Sequence, residues 1–137
     1  MRRSEIREHV FRMIFETEFH DESELSDQEK YYLGAALQTP ADKKNKEEIK
    51  NRFDLVMTKL PEIDAIIEGA DSGWALSRMG KIDLAILRLA TFEIRFDDDI
   101  PEKVAVNEAI ELAKRYGGDD SSSFINGVLA RLMTEKE

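Results

Sequence analysis

Between residues 82 and 96 the chain is apolar on two sides of a helix at once, and this stretch limits the available folds more than any other. Ile82, Ala85, Ile86, Leu89, Phe92 and Phe96 recur at helical spacing, while Leu84, Leu87, Thr91 and Ile94 form a second stripe. A helix with two apolar stripes is either central to a bundle or covered by a partner. Helical spacing also holds nearly everywhere else, and no strand-like alternation lasts four residues outside short ambiguous runs. The pattern predicts helices over 4–19, from 26 to just before Thr39-Pro40, and over 44–59, 61–69, 77–96, 101–116 and 120–133. Ser26-Asp27-Gln28-Glu29 reads as a capping box, Pro61 suits a first helical turn, and Gly117-Gly118 supplies a left-handed helix stop. The loop 70–73 leads to Trp74, the only tryptophan. The result is an all-α, compact seven-helix chain, read as one domain over 1–137.

At 137 residues, with 42% hydrophobic and 36% charged residues, the chain is large enough to bury a core and too apolar for disorder. It has no cysteine, which excludes disulfides, thiolate metal sites and a cysteine nucleophile. No apolar run approaches bilayer length and the N-terminus is charged, so a cytoplasmic protein with no membrane partner is expected. Net charge is −9, which argues against extensive nucleic-acid contact. The charge is uneven, however. Residues 1–12 hold four arginines against two glutamates, and residues 16–30 hold seven carboxylates against Lys30 alone. A local basic patch on an acidic protein would bind RNA weakly and with a partner's help.

Catalytic constellations are absent from the sequence. His9 and His20 fit neither HExxH nor the Glu-x-x-His pairs of di-iron bundles, and there is no GxSxG, P-loop or GxGxxG. Asp97-Asp98-Asp99 reads as a solvated run rather than an apolar setting that tunes a pKa. A binding protein without cofactor or metal is expected, not an enzyme.

Several side chains stand out against this background. Asp83 falls beside the second stripe of the two-sided helix, as a solvated carboxylate on its rim or opposite a partner's donor. Glu93 projects among Ile82, Ile86 and Leu89, and hydrogen bonds from the first turn of the sixth helix are expected to hold it. Phe11, Phe15 and Phe19 recur at i, i+4 and i+8; Phe11 and Phe19 are expected to be buried, and Phe15 is either buried or at a protein contact. Phe124 begins the last helix, behind Asp120 and Ser121 to Ser123, any of which can cap it. It either seals the core or offers an edge on which a base stacks beside a phosphate-binding helix terminus. Asn126-Gly127 then interrupts an apolar helix, and a packing notch for a neighbouring backbone accounts for the pair.

"WALSRMGKIDLAILRLATFEI" and "IPEKVAVNEAIELAKRYGGDDSSSFINGVLARL" closely resemble the C-terminal half of the NusB family of bacterial transcription antitermination factors. With the first helix and the length included, the resemblance covers essentially the whole chain. It implies an all-α fold of two small helical bundles, binding to the boxA element of ribosomal RNA leaders together with NusE, a small-subunit ribosomal protein, and assembly with RNA polymerase and other Nus factors. The family's arginine box falls on Arg2, Arg3 and Arg7, thinned here by Ser4, Glu5 and Ile6. Fewer phosphate contacts imply weaker binding and a shallower salt dependence. A second RNA patch falls on Asp120 and Phe124, with Ser122 and Ser123 where relatives can be basic or carry histidine. The NusE-facing surface falls on Phe15 and the exposed side of the two-sided helix, including Asp83. Some family members self-associate, which keeps a homodimer open. The rival readings are a protein-only adaptor and a detached substrate-binding module of the ribosomal RNA cytosine methyltransferase type.

Overall fold

The computed structural model describes residues 2–37, 40–70 and 75–136. Among them lie seven α-helices: α1 (Arg3–Glu16), α2 (Leu25–Ala36), α3 (Pro40–Thr58), α4 (Leu60–Ala70), α5 (Lys81–Phe96), α6 (Glu102–Tyr116) and α7 (Ser121–Lys136). Short 3₁₀ turns occupy Thr17–Phe19, Glu22–Glu24 and Leu76–Arg78, and no strand occurs among the described residues. The all-α, seven-helix reading is therefore correct, with shifts at the ends. The capping box that opens the second helical region is Asp21 with Glu24, not Ser26 with Glu29, and its Asp21 N–H donates to Glu24 Oε1 at 2.8 Å. Proline has no N–H to lose in a first helical turn, so α3 begins at Pro40 itself rather than at 44. The predicted fifth helix divides into the 3₁₀ turn Leu76–Arg78 and α5. Residues 71–74, Trp74 among them, lie outside the described residues, and Ala70 ends α4.

The chain divides into two compact units, Met1–Met57 and Thr58–Glu137. In the second unit α5 packs against α4, α6 and α7, which covers both of its stripes with helices of this chain. Every residue from Leu84 to Ile94 is buried as a result, including Arg88, Thr91 and Glu93. Arg88 is neutralised by Asp64 of α4 through a two-pronged contact, Nε donating to Oδ1 at 2.9 Å and Nη2 to Oδ2 at 3.0 Å. Glu93 is 2% exposed. From the end of α5, Arg95 Nη2 donates to the Leu132 carbonyl of α7 at 3.0 Å.

In the first unit α1 buries Ile6, Val10, Met13 and Ile14, with Phe11 buried beside them. Glu29 of α2 lies 3.6 Å from Lys50 of α3, and burial followed by the neighbouring Asp54 carboxylate pushes the Glu29 pKa up. His9 Nδ1 lies 2.8 Å from the Tyr32 hydroxyl of α2. Burial, with Arg12 beside it, pushes the His9 pKa below its ordinary 6.5. A depressed imidazole pKa gives stability that is present above 6.5 and lost as pH falls through the folded value. Wild-type protein should therefore lose more stability than His9→Gln between about pH 7.5 and 5.5, as read by denaturant midpoints. Parallel curves for the two proteins would show that His9 titrates alike folded and unfolded.

Candidate nucleic-acid interface

At the N-terminus of α1 the arginines divide by burial. Arg2, in extended backbone just ahead of the helix, and Arg3, its first residue, are both exposed. Cations at the positive end of a helix dipole are poorly placed, and a bound anion would relieve that. For Arg2 the relief comes from within, since its Nε donates to Glu5 Oε1 at 3.0 Å and holds the Glu5 carboxyl below its usual pKa. With the Arg2 side chain 84% exposed, this pair is weak and a phosphate can compete for it. Arg7 is different. It is 9% exposed and lies within the buried part of α1, so little of it remains for a ligand.

In the second unit the corner between α6 and α7 sets the start of the last helix. Gly117 has φ −89° and ψ −179°, so the predicted left-handed stop is not formed. Its lack of a side chain is needed for another reason. A Cβ at Gly117 would sit 2.5 Å from Ser121 Cβ and 2.8 Å from the Ala113 carbonyl oxygen. Ser121 Oγ accepts from the Gly118 N–H at 3.0 Å, so this serine ties the corner rather than capping the helix. Asp120 is exposed, and its carbonyl accepts from the Phe124 N–H at 3.0 Å.

Phe124 is half-buried and lines an open concavity of about 210 Å³ together with Ser123, Gly127, Val128 and Arg131. The two readings of Phe124 thus meet in one side chain, partly packed and partly presented. The packing notch at Gly127 is not formed. Gly127 is exposed, and a Cβ there would meet nothing within 4 Å among the described residues. Glycine with Asn126 leaves the helix surface open instead. Arg131 was not singled out from the sequence, although its position seven after Phe124 and four after Gly127 puts all three on one face.

The residues expected to face a protein partner are placed unit by unit. Phe15 is half-buried between Phe11, stacked at 6.5 Å, and Phe19, edge-on at 5.0 Å between ring centroids. Phe11 is buried as expected, but Phe19 is not: it is 54% exposed, because the 3₁₀ turn Thr17–Phe19 carries it off the α1 face. Asp83 is half-buried in the first turn of α5. The exposed side expected for that helix is missing from 84 to 94, and only its ends reach the surface. Among the described residues no group of three or more His, Cys, Asp or Glu could hold a metal, and no helix is long and apolar enough to cross a membrane.

Comparison with known proteins gives a consistent result. The family model described as the NusB family matches residues 4–134. The transcription antitermination protein NusB of Lachnoclostridium phytofermentans is 57% identical over 134 residues, covering 97% of this chain and 99% of that protein. The protein of the same name from Agathobacter rectalis is 50% identical, covering 96% and 98%. Among solved structures, T. maritima NusB has a TM-score of 0.81 at 33% identity, covering 98% of this chain and 92% of its own. A chain in the crystal structure of the antitermination factors NusB and NusE in complex with dsRNA has a TM-score of 0.78 at 22% identity, a likeness of fold. Sequence match from residue 4 to residue 134 and shared helical architecture lead to one conclusion: the chain belongs to the NusB family.

Proposed function

We propose that this chain is a transcription antitermination factor that binds boxA RNA of ribosomal RNA leaders together with NusE and joins RNA polymerase and other Nus factors. The observation that carries the reading is 57% identity, over nearly the full length of both proteins, to a transcription antitermination protein. The solved NusB and NusE structure with dsRNA, which shares the fold, supports looking for both partners. Residues 1–137 act as one RNA-binding domain. Arg2 and Arg3 meet phosphates, Arg7 anchors that end of α1 from its buried position, Asp120 accepts from a base edge, and Phe124 stacks a base. Phe15 and Asp83 face NusE. A chain with net charge −9 has little long-range attraction for RNA, so NusE supplies part of the affinity.

Titration of fluorescent boxA RNA with and without NusE tests the reading directly. Binding should be tighter with NusE present. In that complex Phe124→Ala should cost about 1–2 kcal/mol without changing the slope of log affinity against log salt. Arg3→Ala should lower that slope by roughly 0.7. If boxA RNA binds in neither arm while NusE still binds, the protein acts as a protein-only adaptor and the RNA reading falls.

A further inference from the structure

We propose that Asn126-Gly127 is a self-modification site held silent by α7: when the helix opens, the chain attacks itself there and becomes an aspartyl or isoaspartyl protein. The site is independent of the RNA reading, since it depends only on what this dipeptide does in and out of a helix.

The chain has four asparagines, Asn45, Asn51, Asn107 and Asn126, and only the last precedes glycine. That neighbour matters because the nucleophile is the backbone nitrogen of the following residue. Lacking a Cβ, Gly127 leaves its nitrogen unshielded and its backbone free to swing once the helix is gone. The Gly127 nitrogen bonds to Asn126 Cγ, the Cγ–Nδ2 bond breaks, and the amide proton leaves with Nδ2 as ammonia. A five-membered imide remains, and water is the only other reactant. Water attacking Cγ restores the main chain and gives aspartate. Water attacking the main-chain carbonyl carbon of Asn126 leaves the chain running through the side chain, as isoaspartate.

Folded α7 opposes ring closure in three ways. Gly127 lies beyond the first four residues of the helix, so its N–H is committed to the Ser123 carbonyl. The imide encloses the Cα–C bond of Asn126 and holds ψ away from the helical value of about −42°. Its nitrogen also carries no proton, so the ladder would lose a bond there as it does at proline. Access is not the barrier. Asn126 and Gly127 are both exposed, and a Cβ at Gly127 would meet no described atom within 4 Å. The helical backbone alone holds the reaction back, so its rate follows the open fraction of α7.

The two products have different consequences. Aspartate adds a charge at an exposed position and lets the helix re-form. Isoaspartate lengthens the main chain by one carbon, so the ladder cannot resume in register across it. The same helix buries Ile125, Val128, Leu129 and Leu132, and a break at 126 separates the first of these from the rest. A molecule left open long enough is thereby marked, and its core re-forms less stably.

The test incubates the full chain at neutral pH and follows conversion at residue 126 by peptide mapping. Asn107 of α6, also exposed but followed by Glu108, is the comparison within the chain. Unfolding urea should speed conversion at Asn126 by roughly a thousandfold or more over native conditions, and at Asn107 should leave it far slower than at Asn126. Gly117→Ala, whose Cβ would sit 2.5 Å from Ser121 Cβ, should raise the native rate about thirtyfold, the equivalent of about 2 kcal/mol. Sub-denaturing urea should raise it in step with the unfolding free energy, whether or not that variant is destabilised. Equal rates in folded and unfolded protein, or a native rate that ignores both perturbations, overturn the proposal, because the helix then gives no protection. Absence of conversion at Asn126 in the unfolded chain overturns the chemistry. Gly127→Ala should slow the unfolded reaction severalfold, and an unchanged rate overturns the role given to glycine. The isoaspartyl fraction, once separated, should melt well below the aspartyl fraction; equal melting temperatures overturn the effect on the core.

Discussion

Asp64→Ala is expected to lower the stability of the unit Thr58–Glu137 by about 3 kcal/mol, the largest effect of any substitution considered. The cause is Arg88, not the lost carboxylate itself. Arg88 is 8% exposed, among the apolar side chains of α5, and donates to both carboxylate oxygens of Asp64. Removing the carboxylate takes away two charge-assisted hydrogen bonds from a guanidinium that water reaches poorly. The Asp64 side chain keeps 23% exposure, which places the expected loss at the lower end of the range for buried pairs, about 3–5 kcal/mol. The double variant Asp64→Leu with Arg88→Met should recover most of the loss, because it removes both desolvation costs along with the attraction. Chemical denaturation gives both numbers. A loss below about 1 kcal/mol in the single variant would mean that Arg88 behaves as an exposed cation.

Gly117→Ala is expected to cost about 2 kcal/mol by overpacking the corner between α6 and α7. One of the three near atoms is the backbone carbonyl oxygen of Ala113, which cannot turn aside as a flexible side-chain end would. The adjacent residue is the control. A Cβ at Gly118 meets nothing within 4 Å and its φ is not left-handed, so Gly118→Ala should change stability by less than about 0.5 kcal/mol. Thermal melts of the two variants separate steric need from simple glycine flexibility. Equal losses at the two positions would mean that the turn needs backbone freedom rather than space.

Helix number and type were legible in the sequence because they depend on local periodicity, and local periodicity is repeated seven times. The end positions were less so. Pro40 can open a helix or follow one, and only the lack of a required N–H at the first turn makes the earlier start free of cost. The glycines misled for a related reason. Gly117, Gly118 and Gly127 look alike in sequence, yet one is held by contacts, one is open in a turn, and one is open on a helix face. Which use applies depends on atoms supplied by other residues, and no pattern of neighbours in the chain records that. The Arg88–Asp64 pair lies 24 residues apart, with nothing in either helix marking the other as its partner. Of the candidate site, Phe124 was legible because an aromatic in a first helical turn beside capping residues is locally unusual. Arg131 was missed because one exposed cation near the end of an acidic protein's last helix is locally ordinary.

The uninterrupted burial of α5 from Leu84 to Ile94 bears on how its neighbours can move. α4, α6 and α7 all rest on that one helix, so lifting α7 would wet a surface with no second way to be covered. Local opening of α7 then approaches the cost of opening the whole unit, and its mid-helix amides should exchange with solvent at nearly the same slow rate as those of α5. A side chain carried on such an element loses little freedom when a ligand arrives, since the backbone beneath it is already fixed. Phe124 and Arg131 are therefore presented at a set separation, so a ligand settling on this face of α7 must do most of the adapting, giving up its own disorder while the helix gives up almost none.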